Sequence, residues 1–298
     1  MMIDIEFFRS QGYVVVPNVV SEDQVDAVCE AVEKFCGVEF DDPLSWTSFV
    51  TQKNGLPELT GAGMVELYHH PSMWALRQNP EIYSAFAQIW EHEALWVSID
   101  RCNLNLPQRI KGDFEGFVHW DVDTSVDPLP FSLQGFVALT ACEVGGGGFQ
   151  CVPGMPARLH EWIQTQPEER NPFKPDLKGL EITEIPVEKG DVLIWNSLLP
   201  HGTSVNKSCV PRLVQYLSMA PAQEDDLTLK NWRVQAWKNR LAPEGDAFPG
   251  DPRKWEQKNG KTAELSELGR KLLGLDPWMV NNHEIKRKGN QKYGAPGF

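Results

Sequence analysis

The sequence has no apolar run long enough to span a bilayer. Its opening, Met1 to Phe8, has no basic region leading into an apolar core and a cleavage site. We therefore expect no membrane partner and a cytoplasmic location. Cysteine is sparse. The six (Cys29, Cys36, Cys102, Cys142, Cys151 and Cys209) include no C-x-x-C pair, which argues against a zinc ribbon and suits a reducing compartment. Positive charge is scarce too: 28 Lys and Arg stand against 41 Asp and Glu, a net −13. That excludes nucleic acid as the expected partner and argues against an anionic membrane surface. A small anionic ligand stays open, because one arginine can dominate a pocket. Internal repeats and low-complexity segments are absent. What remains is 298 residues with 41% apolar content, enough for a substantial core in one large domain.

The chain is organised around Lys189–Met219. Gly190-Asp191 signals a turn, Val192–Trp195 is a short apolar run with strand character, and His201 follows, trailed by Gly202, Thr203 and Ser204. Pro211 opens a second strand-like run, Arg212–Met219, and Arg212 stands eleven residues after His201. Upstream, Phe117-Val118-His119-Trp120-Asp121 sets a histidine and an aspartate two apart. On a strand both would face the same way. An H-x-D pair alone is common by chance. Two imidazoles and one carboxylate, however, form the facial triad that leaves three positions of a non-haem Fe(II) open for O2 chemistry. The later histidine and arginine arrive in the order such a site needs.

On these motifs the chain resembles the phytanoyl-CoA dioxygenase family of Fe(II)/2-oxoglutarate oxygenases. The resemblance runs from about residue 5 to residue 221. It rests on H119-W-D121, on G-D-V-L-I-W-N-S-L-L-P-H201-G-T-S-V-N206, on Arg212 and on the opening F-F-R-S-Q-G-Y-V-V-V-P-N. It implies a mainly β chain with flanking helices, built as a double-stranded β-helix (a jelly-roll, cupin-like barrel) with iron at one end. It implies His119, Asp121 and His201 as catalytic metal ligands and 2-oxoglutarate as cosubstrate, its distal carboxylate on Arg212. Thr203 would add a hydroxyl hydrogen bond. Family members also use the Leu95–Leu106 strand to touch 2-oxoglutarate or substrate, which makes Arg101 the cofactor-binding candidate there, beside Asn103 and Asn105. Solvated edge-strand side chains are the alternative. A carboxylate at Asp121 disfavours halogenation, because halogenases of the family keep that position small. Where relatives often continue Pro-Gly with Ser-His, this chain has Met155-Pro156, a departure near the barrel rim.

Elsewhere the signals are structural. Gly12 ends a short helix, Tyr13–Val16 reads as a strand, and Ser21 with Gln24 forms a capping-box pattern before a helix carrying Val25, Val28, Cys29, Val32 and Phe35. Trp46 lies in a stretch read as irregular. His69 and His70 are neighbours that face apart, so packing or surface roles are expected, and His92 reads as polar surface. Met73–Trp90 has helical periodicity. Asp123 and Asp127 follow in a loop, and Gln108–Phe114 reads as the loop before the metal strand. Phe131–Thr140 is a strand and Arg158–Gln166 a short helix. Gly145–Gly148 has no Gly-Lys-Ser/Thr continuation, so a phosphate loop is a weak reading.

The expected organisation is a single oxygenase domain over 1–298, with a core of about 5–221. Residues 222–298 form a helical or irregular extension, a candidate lid or dimer arm, ending in a basic stretch. The expected activity couples oxidative decarboxylation of 2-oxoglutarate, with O2, to hydroxylation of a small-molecule metabolite by a monomer or homodimer. Two alternatives stay open: a non-oxidative cupin-like metalloenzyme and a non-catalytic barrel that binds 2-oxoglutarate or a metabolite.

Overall fold

Alternation along short strands separates two cores. The computed structural model describes residues 2–50, 63–107, 115–245, 248 and 250–278; the expected loop 108–114 and the basic tail lie outside them. Ile5–Gln11 forms α1, capped by the Asp4 carboxylate and ended by left-handed Gly12. Then come β1 (Tyr13–Val16), α2 (Glu22–Cys36), α3 (Pro43–Val50), β2 (Met64–Val65), α4 (Pro71–Arg77), α5 (Pro80–Trp90), β3 (Leu95–Val97) and β4 (Cys102–Asn105). The middle of the chain supplies β5 (Leu133–Ala138), β6 (Phe149–Cys151), α6 (Met155–Gln164), β7 (Thr183–Ile185), β8 (Val192–Asn196), β9 (His201–Thr203), β10 (Arg212–Tyr216) and β11 (Met219–Pro221). It ends with α7 (Leu227–Asn239), α8 (Trp255–Asn259) and α9 (Glu267–Leu273).

Antiparallel pairing builds a six-stranded sheet in the order β1-β8-β5-β10-β4-β2, a three-stranded sheet β7-β6-β9 and a pair β11-β3. The register aligns Trp195 with Gln134, Leu193 with Phe136, and Val214 with both Ala138 and Asn103. These residues therefore share one face of the large sheet. That face closes on Phe149, Cys151 and Ile185 of the small sheet in a core of its own. The opposite face carries Val14, Val16, Leu133, Val137, Val192, Ile194 and Leu213, which pack with Val25, Val28 and Val32 of α2, Trp74 of α4 and Phe86 of α5.

The expectation of a mainly β chain is corrected to a mixed, sheet-rich one with flanking helices. The strands run only two to six residues, and the outer face is covered by helices rather than by water. The Met73–Trp90 periodicity belongs to two helices, because Asn79 caps the second at Pro80. The Leu95–Leu106 and Arg212–Met219 runs each divide as well. Ser98 and Ser218 bond to each other there through backbone and side chain, and the two strands leave the large sheet together. Trp46 sits in a helix rather than an irregular stretch. Ser21 stands at the N-cap of α2, but its hydroxyl turns to the Gln24 side chain and makes no cap bond.

The described part of the C-terminal extension is built into the main core through Ala236, Ala263, Leu272 and Leu273. Arg233 donates to the carbonyls of Val97, Leu272 and Leu273. The Glu256 carboxylate receives the N–H groups of Tyr68 and His69, both at 2.7 Å. His69 is buried, with Nε2 at 2.8 Å from the Leu241 carbonyl. Burial, then the nearby Arg77 guanidinium, pulls its pKa down to about 3, so the folded ring is neutral. The unfolded chain protonates this ring near pH 6.5. The stabilising contribution is therefore complete above that pH and is lost as pH falls from about 6.5 toward 3. From pH 7 to pH 5, His69 should cost about 2 kcal/mol of stability. In urea unfolding at the two pH values, the change in stability from pH 7 to pH 5 should be about 2 kcal/mol less favourable in the wild type than in a His69→Phe variant.

Candidate metal centre

Residues 117–119 run beside β9 without forming a regular strand. The contact is a single bridge: His119 N–H donates to the His201 carbonyl at 2.9 Å, and His201 N–H returns the bond at 3.0 Å. The next step is Phe117 N–H to the Thr203 carbonyl at 3.3 Å. Gly202 makes this approach possible, since a Cβ there would sit 1.8 Å from the Phe117 carbonyl oxygen. The expected strand at Phe117–Asp121 is thus reduced to one bridge, after which Trp120 N–H turns to the Phe173 carbonyl.

His119 and Asp121 nevertheless meet. His119 Nε2 lies 2.8 Å from Asp121 Oδ1, and His201 Nε2 lies 3.5 Å from Oδ2. One donor atom from each of the three falls within 4.8 Å of the others. Ligand atoms about 2.1 Å from one ion at right angles stand about 3 Å apart, so the spacing suits a first-row divalent metal. His201 Nδ1 donates to the Leu199 carbonyl at 2.9 Å, which leaves Nε2 as its ligand atom. Burial alone would raise the Asp121 pKa. Hydrogen bonds from His119 and His201, with the attraction of both imidazoles, outweigh burial and hold the carboxyl well below the usual range. Two nitrogens and one anionic oxygen on one side form a donor set that can hold the metal.

Arg212 opens β10 on the same inner face. It is buried, its Nη1 donates to Asn103 Oδ1 at 3.0 Å, and its guanidinium lies 5.3 Å from the Phe136 ring centroid. Its Nε is buried with no hydrogen-bond partner among the described residues. A row of rings links it to the triad: Phe136 contacts Phe149 and Trp195, and both of those contact the His201 ring. Thr203 is half-buried two residues beyond His201. Arg101 is ion-paired with Glu66 at 3.0 Å, bonded to the Tyr68 hydroxyl at 2.6 Å and covered by the Phe248 ring. The structure therefore joins His119, Asp121 and His201, sets Arg212 further along the same inner face, and engages Arg101 with Glu66. An open surface recess of about 590 Å³, lined by Asp26, Glu33, Glu39, Asp41 and Lys189, shares none of these residues.

Residues 8–214 match the family described as Phytanoyl-CoA dioxygenase (PhyH). The chain belongs to the phytanoyl-CoA dioxygenase family. A Dictyostelium discoideum protein carrying the same family name is 23% identical over 280 residues, 79% of each chain. Among solved structures, a hypothetical protein from Escherichia coli aligns with a TM-score of 0.67 at 18% identity, over 91% of this chain and 81% of that one. The epimerase SnoN, in complex with Fe3+, alpha ketoglutarate and nogalamycin RO, aligns with a TM-score of 0.50 at 19% identity, over 73% and 82%. At these identities the structures show a shared fold.

In this phytanoyl-CoA dioxygenase family member, sequence reasoning missed Gln134, which bonds Asp121, and the rings that brace His201. Gln134 did carry a signal, as the one amide inside the apolar run Phe131–Ala138. The glycine turn 145–148 is structural. Asn105 Nδ2 donates to the Gly147 carbonyl, and a Cβ on Gly147 would meet that same nitrogen at 2.4 Å. Gly202→Ala should push the 117–119 segment off β9 and cost about 1–3 kcal/mol. Thermal melting with and without Co(II) should show lower stability and a smaller metal-induced shift.

Proposed function

We infer that the protein is an Fe(II)- and 2-oxoglutarate-dependent oxygenase that oxidises a C–H bond of a small metabolite, by hydroxylation or a related outcome. The observation that carries this reading is the pairing of a two-histidine, one-carboxylate donor set with buried Arg212, whose Nε has no hydrogen-bond partner among the described residues. A metalloenzyme without 2-oxoglutarate needs the three ligands but not the arginine. Family membership and the solved relative that binds Fe3+ and alpha ketoglutarate support the same reading.

His119, Asp121 and His201 would hold Fe(II) through one face, leaving adjacent positions for cosubstrate and O2. When bound, Fe(II) with 2-oxoglutarate and O2 supplies the oxidising chemistry, releasing succinate and CO2. Arg212 would receive the distal carboxylate of 2-oxoglutarate through its planar fork, and Thr203 would add a hydroxyl hydrogen bond. Phe136, Phe149 and Trp195 exclude water between the metal ligands and the arginine. Arg101, engaged with Glu66, belongs to the wall of the same inner face. The two facing sheets are read as halves of a double-stranded β-helix, with the whole chain as one oxygenase domain and residues 222–278 as its buttress. Six free thiols suit a reducing compartment such as the cytoplasm.

The test is metal-dependent binding and turnover of 2-oxoglutarate. Anaerobic protein with Fe(II) should bind 2-oxoglutarate by calorimetry and release succinate when O2 and a substrate-containing metabolite pool are admitted. No metal-dependent binding of 2-oxoglutarate would overturn the reading. Arg212→Ala should weaken 2-oxoglutarate by roughly 1.5–3 kcal/mol, about ten- to over a hundredfold, while Co(II) affinity stays near wild type. Asp121→Gly should weaken metal binding and abolish hydroxylation.

A further inference from the structure

Imidazoles are not the only groups holding Asp121. Its Oδ2 accepts a 2.6 Å hydrogen bond from Gln134 Nε2, and Gln134 Oε1 accepts one of 3.1 Å from Trp195 Nε1. The strand register explains the meeting. Gln134 on β5 stands directly across from Trp195 on β8, and both side chains enter the inner core. An indole N–H can only donate, so the amide oxygen must face Trp195. The NH2 group is thereby forced toward Asp121, and the orientation of the amide follows from its neighbours' chemistry.

The arrangement treats the two carboxylate oxygens differently. Oδ2 is held by the amide at 2.6 Å and lies further, 3.5 Å, from His201 Nε2, while Oδ1 faces His119 Nε2 at 2.8 Å and has no amide on it. A carboxylate free to rotate can chelate through both oxygens and take an extra coordination position. Trp195 also braces the opposite ligand, its ring centroid lying 5.0 Å from that of His201. One indole thus steadies a histidine with its ring and, through the Gln134 amide, the aspartate with its N–H.

We propose that Gln134 is a positioning residue of the metal centre, holding Oδ2 of Asp121 so that the carboxylate offers Oδ1 alone to the metal, with Trp195 locking the amide in place. This rests on the metal-binding part of the function inferred above, and it needs neither 2-oxoglutarate nor the substrate. A buried glutamine that merely satisfies its own polar atoms would affect folding and leave metal affinity alone.

The experiment uses the full chain under anaerobic conditions with Co(II) alone as probe. Affinity is read by calorimetry and coordination by the visible spectrum at saturation. Gln134→Met keeps the side-chain length and removes the amide. It should weaken Co(II) about ten- to a hundredfold, the scale of lost outer-shell partners, and should alter the spectrum. Trp195→Phe keeps a ring against His201 and removes the N–H, and should fall between wild type and Gln134→Met. Melting of the metal-free variants establishes that they fold. A folded Gln134→Met with wild-type affinity and spectrum overturns the proposal. Should Gln134→Met fail to fold, wild-type affinity and spectrum in Trp195→Phe overturn it. A wild-type chain that takes up no Co(II) overturns the metal reading, and this one with it.

Discussion

Two backbone hydrogen bonds between His119 and His201 hold the centre together. They join a segment with no regular strand of its own to the edge of the three-stranded sheet. The two histidines are far apart in the chain, and this bridge, with the Phe117–Thr203 bond beside it, sets their side chains over the same space. It depends in turn on the missing side chain at Gly202, where any Cβ would collide with the Phe117 carbonyl. Asp121 follows from that anchor, being carried two residues beyond His119 into reach of both rings. The geometry of the donor set is therefore a property of one sheet edge.

Behind this edge the inner face of the large sheet is graded. The acidic end is Asp121, tied to Gln134; the basic end is Arg212, tied to Asn103. Phe136, Phe149 and Trp195 fill the interval. Asp121 lies at the solvent-exposed end of this face and Arg212 at its buried end, so water screens the carboxylate far more than the guanidinium.

Much of this was legible in the residues. The H-x-D pair, His201 and Arg212 announce themselves by spacing within apolar runs. So do the strand-like runs that become β5, β8 and β10. Local rules failed where distant contacts decided the outcome. Trp46 lies among helix-breaking residues yet sits in a short helix, because its indole N–H bonds back to the Glu39 carbonyl. The long Leu95–Leu106 pattern gave no hint that Ser98 would bend it, since the bend is shared with Ser218. Gln134 stood out as the one amide of its run, but its role could not be read there because its partner, Asp121, comes from outside its own sheet. Arg101 was visible as an inward-facing cation, but its pairing with Glu66 depends on a segment that precedes β4 by many residues.

The Glu256 carboxylate ties the end of the described chain to the Tyr68 and His69 amides, 188 and 187 residues away in sequence. Synthesis runs from the N-terminus, so all three metal ligands and Arg212 leave the ribosome before Glu256 exists. During that interval the two amides have no carboxylate to meet, and closing so long a loop carries an entropic cost that local contacts do not. The ligand set and its outer wall thus belong to different moments in the making of the protein.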